Sequence, residues 1–453
     1  MATFGERLRR LRQEAGLSQT ELAGDGISPS YISLLESGKR SPSGEVVAQL
    51  AARLGCSTTL LLSGEPSDRE RRIDLELAYA RLALEHGQPG DGRTRMDALL
   101  AEDGVPQSAR DEARYLLASA YEKIGDLPKA AETILPLYER ATRGLTEVPL
   151  PDVAVLLCGI YWQAGDLQRM SRTAEEALAV AEEQGLADTD EYYRLAATLM
   201  FAHMELGDYL HAVTWAKQVL DRAKDSGNRK GQAVLYWNAA VVAEHHGRID
   251  EALQLCQRAM AHLGEQGGSR DLARLRVAAA QILLSADPPL VPEAVTVLEQ
   301  GRELLEDLGG SVDLVEWHHV RALAALLEHD LDAAAHYAAT AVTLTEKERG
   351  ATDALTAGRA HLALGDALLA ERRDGEAQEQ REQARHRLGD APLNRPAALV
   401  WRELAERLVH QGELEAAVAA YRRALDSLAV LDRSGPVLAA VEAVRAAGAR
   451  AEV

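Results

Sequence analysis

The sequence predicts an all-α chain in two parts, a small five-helix domain over residues 1–64 and a long array of helix pairs behind it. Three observations carry this. Capped, amphipathic segments joined by Gly and Pro turns fill the first 64 residues. A Gly-Asp-like turn then recurs about every 40 residues. No alternating strand pattern occurs anywhere in the 453 residues.

The first helix carries Phe4, Leu8 and Leu11 on one face, with Arg7, Arg9, Arg10 and Arg12 on its polar side. Ser18 and Glu21 form a capping box, each side chain serving the other's backbone N–H. Leu17, Leu22 and Ala23 are the inward positions of that second helix, which Gly24, Asp25 and Gly26 break. Ser28 caps a third helix and Pro29 occupies its first turn, where a missing N–H costs nothing. Ile32 and Leu35 form its apolar face; Ser30, Tyr31, Ser33 and Leu34 lie off it. Gly38 ends it. Val46, Val47, Leu50, Ala51 and Leu54 mark a fourth helix, and Leu60 to Leu62 a short fifth.

At this point a family is visible. Gly16-Leu17-Ser18-Gln19, Glu21-Leu22-Ala23, Ile32-Ser33, Glu36-Ser37-Gly38-Lys39-Arg40 and Pro42 resemble the five-helix, lambda-repressor-like DNA-binding domain of the Cro/phage-repressor (Xre) family. The resemblance covers residues 1 to about 64. It implies that 28–36 is the recognition helix in the major groove of double-stranded operator DNA. It implies that Gln19 anchors a phosphate at a helix start, and that Arg12 pairs with Glu36. Lys39 and Arg40 resemble phosphate contacts, which position a domain without reading sequence. Ser28, Ser30, Tyr31 and Ser33 complete the expected DNA-facing set; the alternative for Tyr31 is packing between helices. The chain departs from the family by one residue fewer between Ala23 and Glu36. That resembles the peptide-sensing regulators of the Rgg/PlcR (RRNPP) kind, used in quorum sensing. It also lacks the usual Gln, Asn or Arg readers, and hydroxyls discriminate bases less sharply than bidentate groups.

Composition sets bounds. The chain is too long for one compact domain. It is 47% hydrophobic but only 4% aromatic, which favours close packing of small residues. Residues 1–66 hold seven basic and seven acidic side chains, so the whole net charge of −20 falls on the remainder. A body this acidic repels DNA, so nucleic-acid contact is expected from the N-terminal part alone. Cys56, Cys158 and Cys256 have no metal or disulfide spacing and read as buried small hydrophobes of a reducing compartment. The N-terminus has no apolar run of a signal peptide, and no run reaches the length of a membrane span. A cytoplasmic location away from membranes is expected.

Residues 65–68 read as a linker of polar, Gly- and Pro-containing sequence. Beyond it, Gly125-Asp126, Gly165-Asp166, Gly207-Asp208 and Gly247-Arg248 are 40, 42 and 40 residues apart. Ala212, Ala252, Ala294, Ala334, Ala377 and Ala417 carry the count on. This predicts a helical solenoid. Leu117-Ala118…Tyr121…Gly125-Asp126…Ala130 and Trp401…Leu404-Ala405…Gly412…Ala417…Tyr421…Ala424 resemble tetratricopeptide repeats (TPR), as does the pair Leu364-Gly365. That resemblance implies a right-handed α-solenoid of about nine repeats over 69–434, with a capping helix at 435–453. The units exceed the usual length of about 34 residues, which implies longer helices. Pro136 is expected to kink its helix.

In the tetratricopeptide pattern the first helix of each unit lines the concave face. The candidates there are Trp162 and Gln163; Arg194, Phe201, Met204 and Glu205; Trp237, Asn238, Glu244 and His245; then Glu316, His319, Arg359, Asp366, Arg402 and Glu406. Aromatic, amide and charged groups on one wall suit a peptide or other small effector. Asn238 is singled out, because the chain has three asparagines and this one lies mid-helix against its propensity. The alternative for Asn238 and Trp237 is packing between repeats. His245-His246 and His318-His319 point about 100° apart on a helix and cannot share an ion, so no metal is expected. No phosphate loop, HExxH or nucleophile elbow appears, so neither an enzyme nor a cofactor is expected. The expectation is a homodimeric DNA-binding transcriptional regulator controlled by an effector. The alternative is a repeat adaptor that docks a partner protein, with a DNA-targeting head.

Overall fold

The computed structural model describes residues 3–24, 27–56, 58–63, 68–264, 270–308, 311–347 and 354–428. The expected capping helix at 435–453, linker residues 65–67 and turn residues Asp25 and Gly26 lie outside this set. Asp68, expected in the linker, instead opens a helix. The chain divides into two compact units, Met1–Tyr79 with Ala98–Ala109, and Ala80–Asp97 with Arg110–Val453.

The head consists of α1 Phe4–Glu14, α2 Gln19–Ala23, α3 Pro29–Glu36, α4 Gly44–Arg53 and α5 Thr58–Ser63. Leu8, Leu22, Ile32, Leu35, Leu50 and Leu61 meet in its core, each fully buried. Arg7 does not join the solvated side of α1. It is buried and donates to the carbonyls of Leu61 and Leu62, which ties α5 to α1. Gly5 sits where α1 crosses α3: a Cβ there would lie 2.5 Å from the Leu35 carbonyl oxygen.

Eighteen further helices form consecutive pairs among the described residues. They are α6 Asp68–Glu85 with α7 Pro89–Ala101, α8 Gln107–Ile124 with α9 Leu127–Thr142, α10 Leu150–Gln163 with α11 Leu167–Glu183, α12 Asp190–Glu205 with α13 Tyr209–Asp225 and α14 Arg229–His245 with α15 Ile249–Gly264. There follow α16 Arg270–Leu284 with α17 Val291–Leu308, α18 Ser311–Leu327 with α19 Leu331–Lys347, α20 Ala354–Ala370 with α21 Asp374–Gly389 and α22 Arg395–His410 with α23 Leu414–Ser427. This is an α-solenoid of helix pairs. α9 runs on through Pro136.

The 40-residue period has a physical basis. At the end of α10, Gly165 adopts φ 77°, the left-handed conformation that closes a helix, and Asp166 then caps α11 by accepting from the Arg169 amide at 3.1 Å. Asp126, Asp208 and Asp330 cap α9, α13 and α19 in the same way. Two turns without glycine keep the geometry, with His329 and Arg372 both at φ 61°. One turn into each second helix stands the recurring alanine; Ala130, Ala212, Ala252, Ala294, Ala334 and Ala377 are fully buried at the helix crossing. Alanine lets two helices approach closely, which is why so few aromatics suffice.

Cys158 and Cys256 are buried, and burial pushes both thiols up to about 12. Cys56 departs from the expectation: it is only half-buried, at the edge of the head's core. Among the described residues no helix is long and apolar enough to cross a membrane.

Candidate nucleic-acid interface and inner wall

The head holds α3 by both ends. Ser28 accepts from the Tyr31 amide at 3.2 Å, and Pro29 fills the first turn. At the other end Glu36 accepts a bidentate pair from Arg12, Nε to Oε1 at 2.6 Å and a terminal nitrogen to Oε2 at 3.2 Å. Gln19 adds a third bond to Glu36 Oε2 at 2.8 Å. Burial alone would raise the Glu36 carboxyl, but the bonds from Arg12 and Gln19 win and hold it below its ordinary value. Arg12 also donates to the Leu17 carbonyl at 2.8 Å. One carboxylate therefore fixes α1, α2 and α3 to each other. The Gln19 side chain, expected at a phosphate, is engaged in this network.

What α3 leaves outward is uncharged. Ile32 and Leu35 point into the core, while Ser30, Ser33 and Leu34 are exposed. Tyr31 is half-buried against the core, and the Arg40 guanidinium lies 5.3 Å from its ring centre. Tyr31 is therefore packed on one side and open to solvent on the other. Lys39 and Arg40 are exposed just beyond the helix. The arrangement places hydroxyls and one phenol ahead of two exposed cations, a neutral edge beside a basic rim.

In the array, first helices of neighbouring pairs are linked to one another. Arg194 pairs with Asp152, joining α12 to α10. Arg270 and Arg274 grip the buried Asp313 at 2.6 and 2.7 Å, and Gln281 donates to Glu316 at 2.6 Å, both joining α16 to α18. Arg359 meets Glu403 at 3.3 Å and Arg407 meets Asp366 at 2.8 Å, joining α20 to α22. First helices also meet across the array: Asn394 at the start of α22 donates to Gln163 of α10. This contact lies at the C-terminal ends of the first helices α10 and α12. In the tetratricopeptide pattern it is the first helices, linked to one another as here, that line the inner wall.

α14 differs from its neighbours on that wall. At the positions where α10, α12, α16, α18 and α20 carry Asp152, Arg194, Arg274, Glu316 and Arg359, it has Val234, and Trp237, Asn238 and Val241 beside it are uncharged as well; Glu244 follows near the helix end. Asn238 donates to the Val234 carbonyl of its own helix at 2.9 Å, which orients the amide. Trp237 is half-buried, packed on one side against the α14–α16 core. Next along the wall, Trp162 and Phe201 meet edge to face at 5.8 Å. The Trp162 Nε1 is buried and finds no acceptor among the described residues.

The remaining candidates divide. Arg194 and Arg359 are engaged in the ion pairs above. His319 is half-buried with its Nδ1 unbonded among the described residues. Glu244 is half-exposed near the end of α14, and the His245 side chain lies outside the described set. Met204 does not face the groove; it is buried between α12 and its neighbours. A recess of about 190 Å³ lies off this wall. It lies along α13 and α15, lined by Met200, Val213, Lys217, Leu220, Val242 and Leu255, and is large enough for one side chain rather than a whole ligand. No group of three or more His, Cys, Asp or Glu suited to a metal occurs among the described residues.

A small helical head that presents one short helix, followed by a helical-repeat array, defines a helix-turn-helix regulator. The helix-turn-helix family HTH_3 matches residues 8–61. The HTH-type transcriptional regulator DdrOP3 of Deinococcus deserti is 47% identical over 60 residues, 13% of this chain and 46% of that protein. The HTH-type transcriptional regulator y4dJ of Sinorhizobium fredii is 42% identical over 65 residues, 14% of this chain and 82% of that protein. The chain belongs to the HTH-type transcriptional regulators, a family of DNA-binding proteins rather than enzymes. The match spans less than half of the Deinococcus protein's length.

Solved structures with similar helix arrangements include Bacillus thuringiensis PlcR in complex with the peptide PapR7 and DNA (14% identity, TM-score 0.40, 62% of this chain and 99% of that one). Apo NprR from B. thuringiensis gives 16% identity and a TM-score of 0.44 over 80% of this chain and all of that one. A Rap protein complexed with competence and sporulation factor gives 13% and 0.44 over 79% and 97%.

Proposed function

We propose that this transcriptional regulator binds operator DNA through α3 and is controlled by a peptide or small effector on the array's inner wall. Ser30, Tyr31 and Ser33 meet base edges, while Lys39 and Arg40 hold phosphates. A homodimer offers two such helices to a two-fold operator, about one helical turn apart. The observation that carries the effector reading is α14. Beyond the Lys230–Asp190 ion pair that joins it to α12, α14 presents an uncharged stretch of Val234, Trp237, Asn238 and Val241, at the level where Arg194, Arg274, Glu316 and Arg359 of other wall helices make their pairs. Apolar wall plus an oriented amide suits a peptide, whose side chains need pockets and whose backbone needs a bidentate partner. The effector acts by binding two arrangements of the array unequally, since equal affinity shifts nothing.

Tryptophan emission tests this. Trp162 and Trp237 are both half-exposed on the wall. Peptide fractions of the producing cells are titrated against wild type and Asn238→Ala. The expected result is a saturable emission change in wild type, weakened about tenfold in the variant, as loss of a buried hydrogen bond implies. Emission and DNA affinity unmoved by every fraction contradict effector control. Capture of one stoichiometric protein instead, with no small ligand retained, favours the adaptor reading.

A further inference from the structure

The far end of the array returns to its beginning. Pro392 lies against Gly125 so closely that a Cβ on that glycine would fall 2.2 Å from the Pro392 Cγ. Gly125, at φ 86°, is thus needed twice, for the turn and for this contact. Asn394 is 5% exposed; it caps α22 through the Ala397 amide at 3.0 Å and donates to Gln163 at 3.3 Å. Gln163 donates in turn to Glu122. Arg395 pairs with Glu205, and the two side chains are 27% and 13% exposed. The loop before α22 is therefore strapped across the C-terminal ends of α8, α10 and α12.

The strap lands beside the aromatic part of the wall. Gln163 follows Trp162 directly, and Glu205 stands one helical turn after Phe201. Successive pairs share packed alanine and leucine beside their ion pairs, whereas this contact has no such apolar seam. It consists of one ion pair, one chain of two amide hydrogen bonds and one proline edge. Bonds of this sort each move an equilibrium by roughly twofold to tenfold, an amount that ligand binding supplies. They are also replaceable by water, whereas an apolar seam is not.

We propose that residues 391–395 form a clasp that shuts the inner groove over Trp162 and Phe201, and that an effector reaches the wall when the clasp releases. This rests on the inner wall being the effector site. The groove is then closed in the free protein, and every effector's apparent affinity is reduced by the fraction of molecules that are open.

The test compares full-length wild type, Arg395→Glu and the charge swap Glu205→Arg/Arg395→Glu, with Arg395→Gln as a milder form of the first. Cys56→Ser is included throughout. Spin labels at two exposed positions flanking the contact, Lys123 and Leu393, report the clasp itself. Retention of a pooled random heptapeptide library, counted by mass spectrometry, reports access. The expected result is a narrow label distance in wild type, a broad one in Arg395→Glu with about tenfold more peptide retained, and restoration of both by the swap. A distance that stays narrow in both single variants overturns the clasp. A distance that opens while peptide retention stays at the wild-type level overturns its control of access. Distances that behave as expected while no form retains peptide overturn instead the reading of the wall as a peptide site.

Discussion

Replacing Gly5 by Ala tests how α3 is seated. The new Cβ would stand 2.5 Å from the Leu35 carbonyl oxygen, 2.6 Å from that of Glu36 and 2.9 Å from the Glu36 carbonyl carbon. A comfortable carbon–oxygen approach is about 3.3 Å, so α1 must retreat by roughly 0.8 Å. The obstacle is helix backbone, which cannot rotate aside as a side chain would. Overpacking of this kind costs about 1–3 kcal/mol; against a rigid backbone the upper half of that range applies. Alanine returns about 1 kcal/mol through its better helix propensity. The net effect is a loss of about 1–2 kcal/mol, close to a tenfold fall in the protection of α1 and α3 amides against hydrogen exchange. The retreat also pulls Arg12 from Glu36 and weakens DNA binding. Gly44→Ala is the control, because nothing lies within 4 Å of a Cβ there. It should leave protection equal or higher. If Gly5→Ala were as well protected as Gly44→Ala, the close seating of α1 on α3 would be wrong.

Two further predictions concern stability. His329 and Arg372 hold φ 61° where other turns of the array have glycine. Left-handed backbone costs an L-residue about 1–2 kcal/mol, while glycine loses about 0.5–1 kcal/mol in chain entropy. Arg372→Gly should therefore stabilise the array by about 0.5–1 kcal/mol in urea melts, and Gly165→Ala should do the reverse; a destabilised Arg372→Gly contradicts this. Glu36 is held below its unfolded value of 4.5 by Arg12 and Gln19. Its stabilising contribution is complete above that value and is lost as pH falls through the lowered one. The difference in head protection between wild type and Glu36→Gln should thus shrink as pH is taken below 4.5, and a constant difference refutes the assignment.

Much of this was legible because the signals are local. Ser18, Ser28 and Asp166 announce helix starts by chemistry that acts over three residues. The alanine period survives because the crossing tolerates nothing larger. What failed to show was long-range. Arg7 read as solvated because α1's polar side is basic; its guanidinium instead reaches carbonyls some 54 residues on. The rarity of asparagine pointed to Asn238, yet Asn394 is the more buried and bridges to Gln163, 231 residues away. No periodicity encodes a contact that depends on how far an array curls. The turns at His329 and Arg372 were hidden for the opposite reason, since tertiary packing imposes there a conformation that the residue itself disfavours.

The division of labour between a neutral head and an acidic array is tested most directly by genome-wide DNA occupancy of Tyr31→Ala/Lys39→Ala against wild type, at equal protein levels. On the proposed reading the variant loses a base-facing group and a phosphate contact; Tyr31 also packs against the head's core, so the variant's helical signal and melting are matched to wild type before occupancy is compared. The account predicts that the wild-type sites empty in the double variant. Sites that remain filled would mean that something other than α3 finds the DNA.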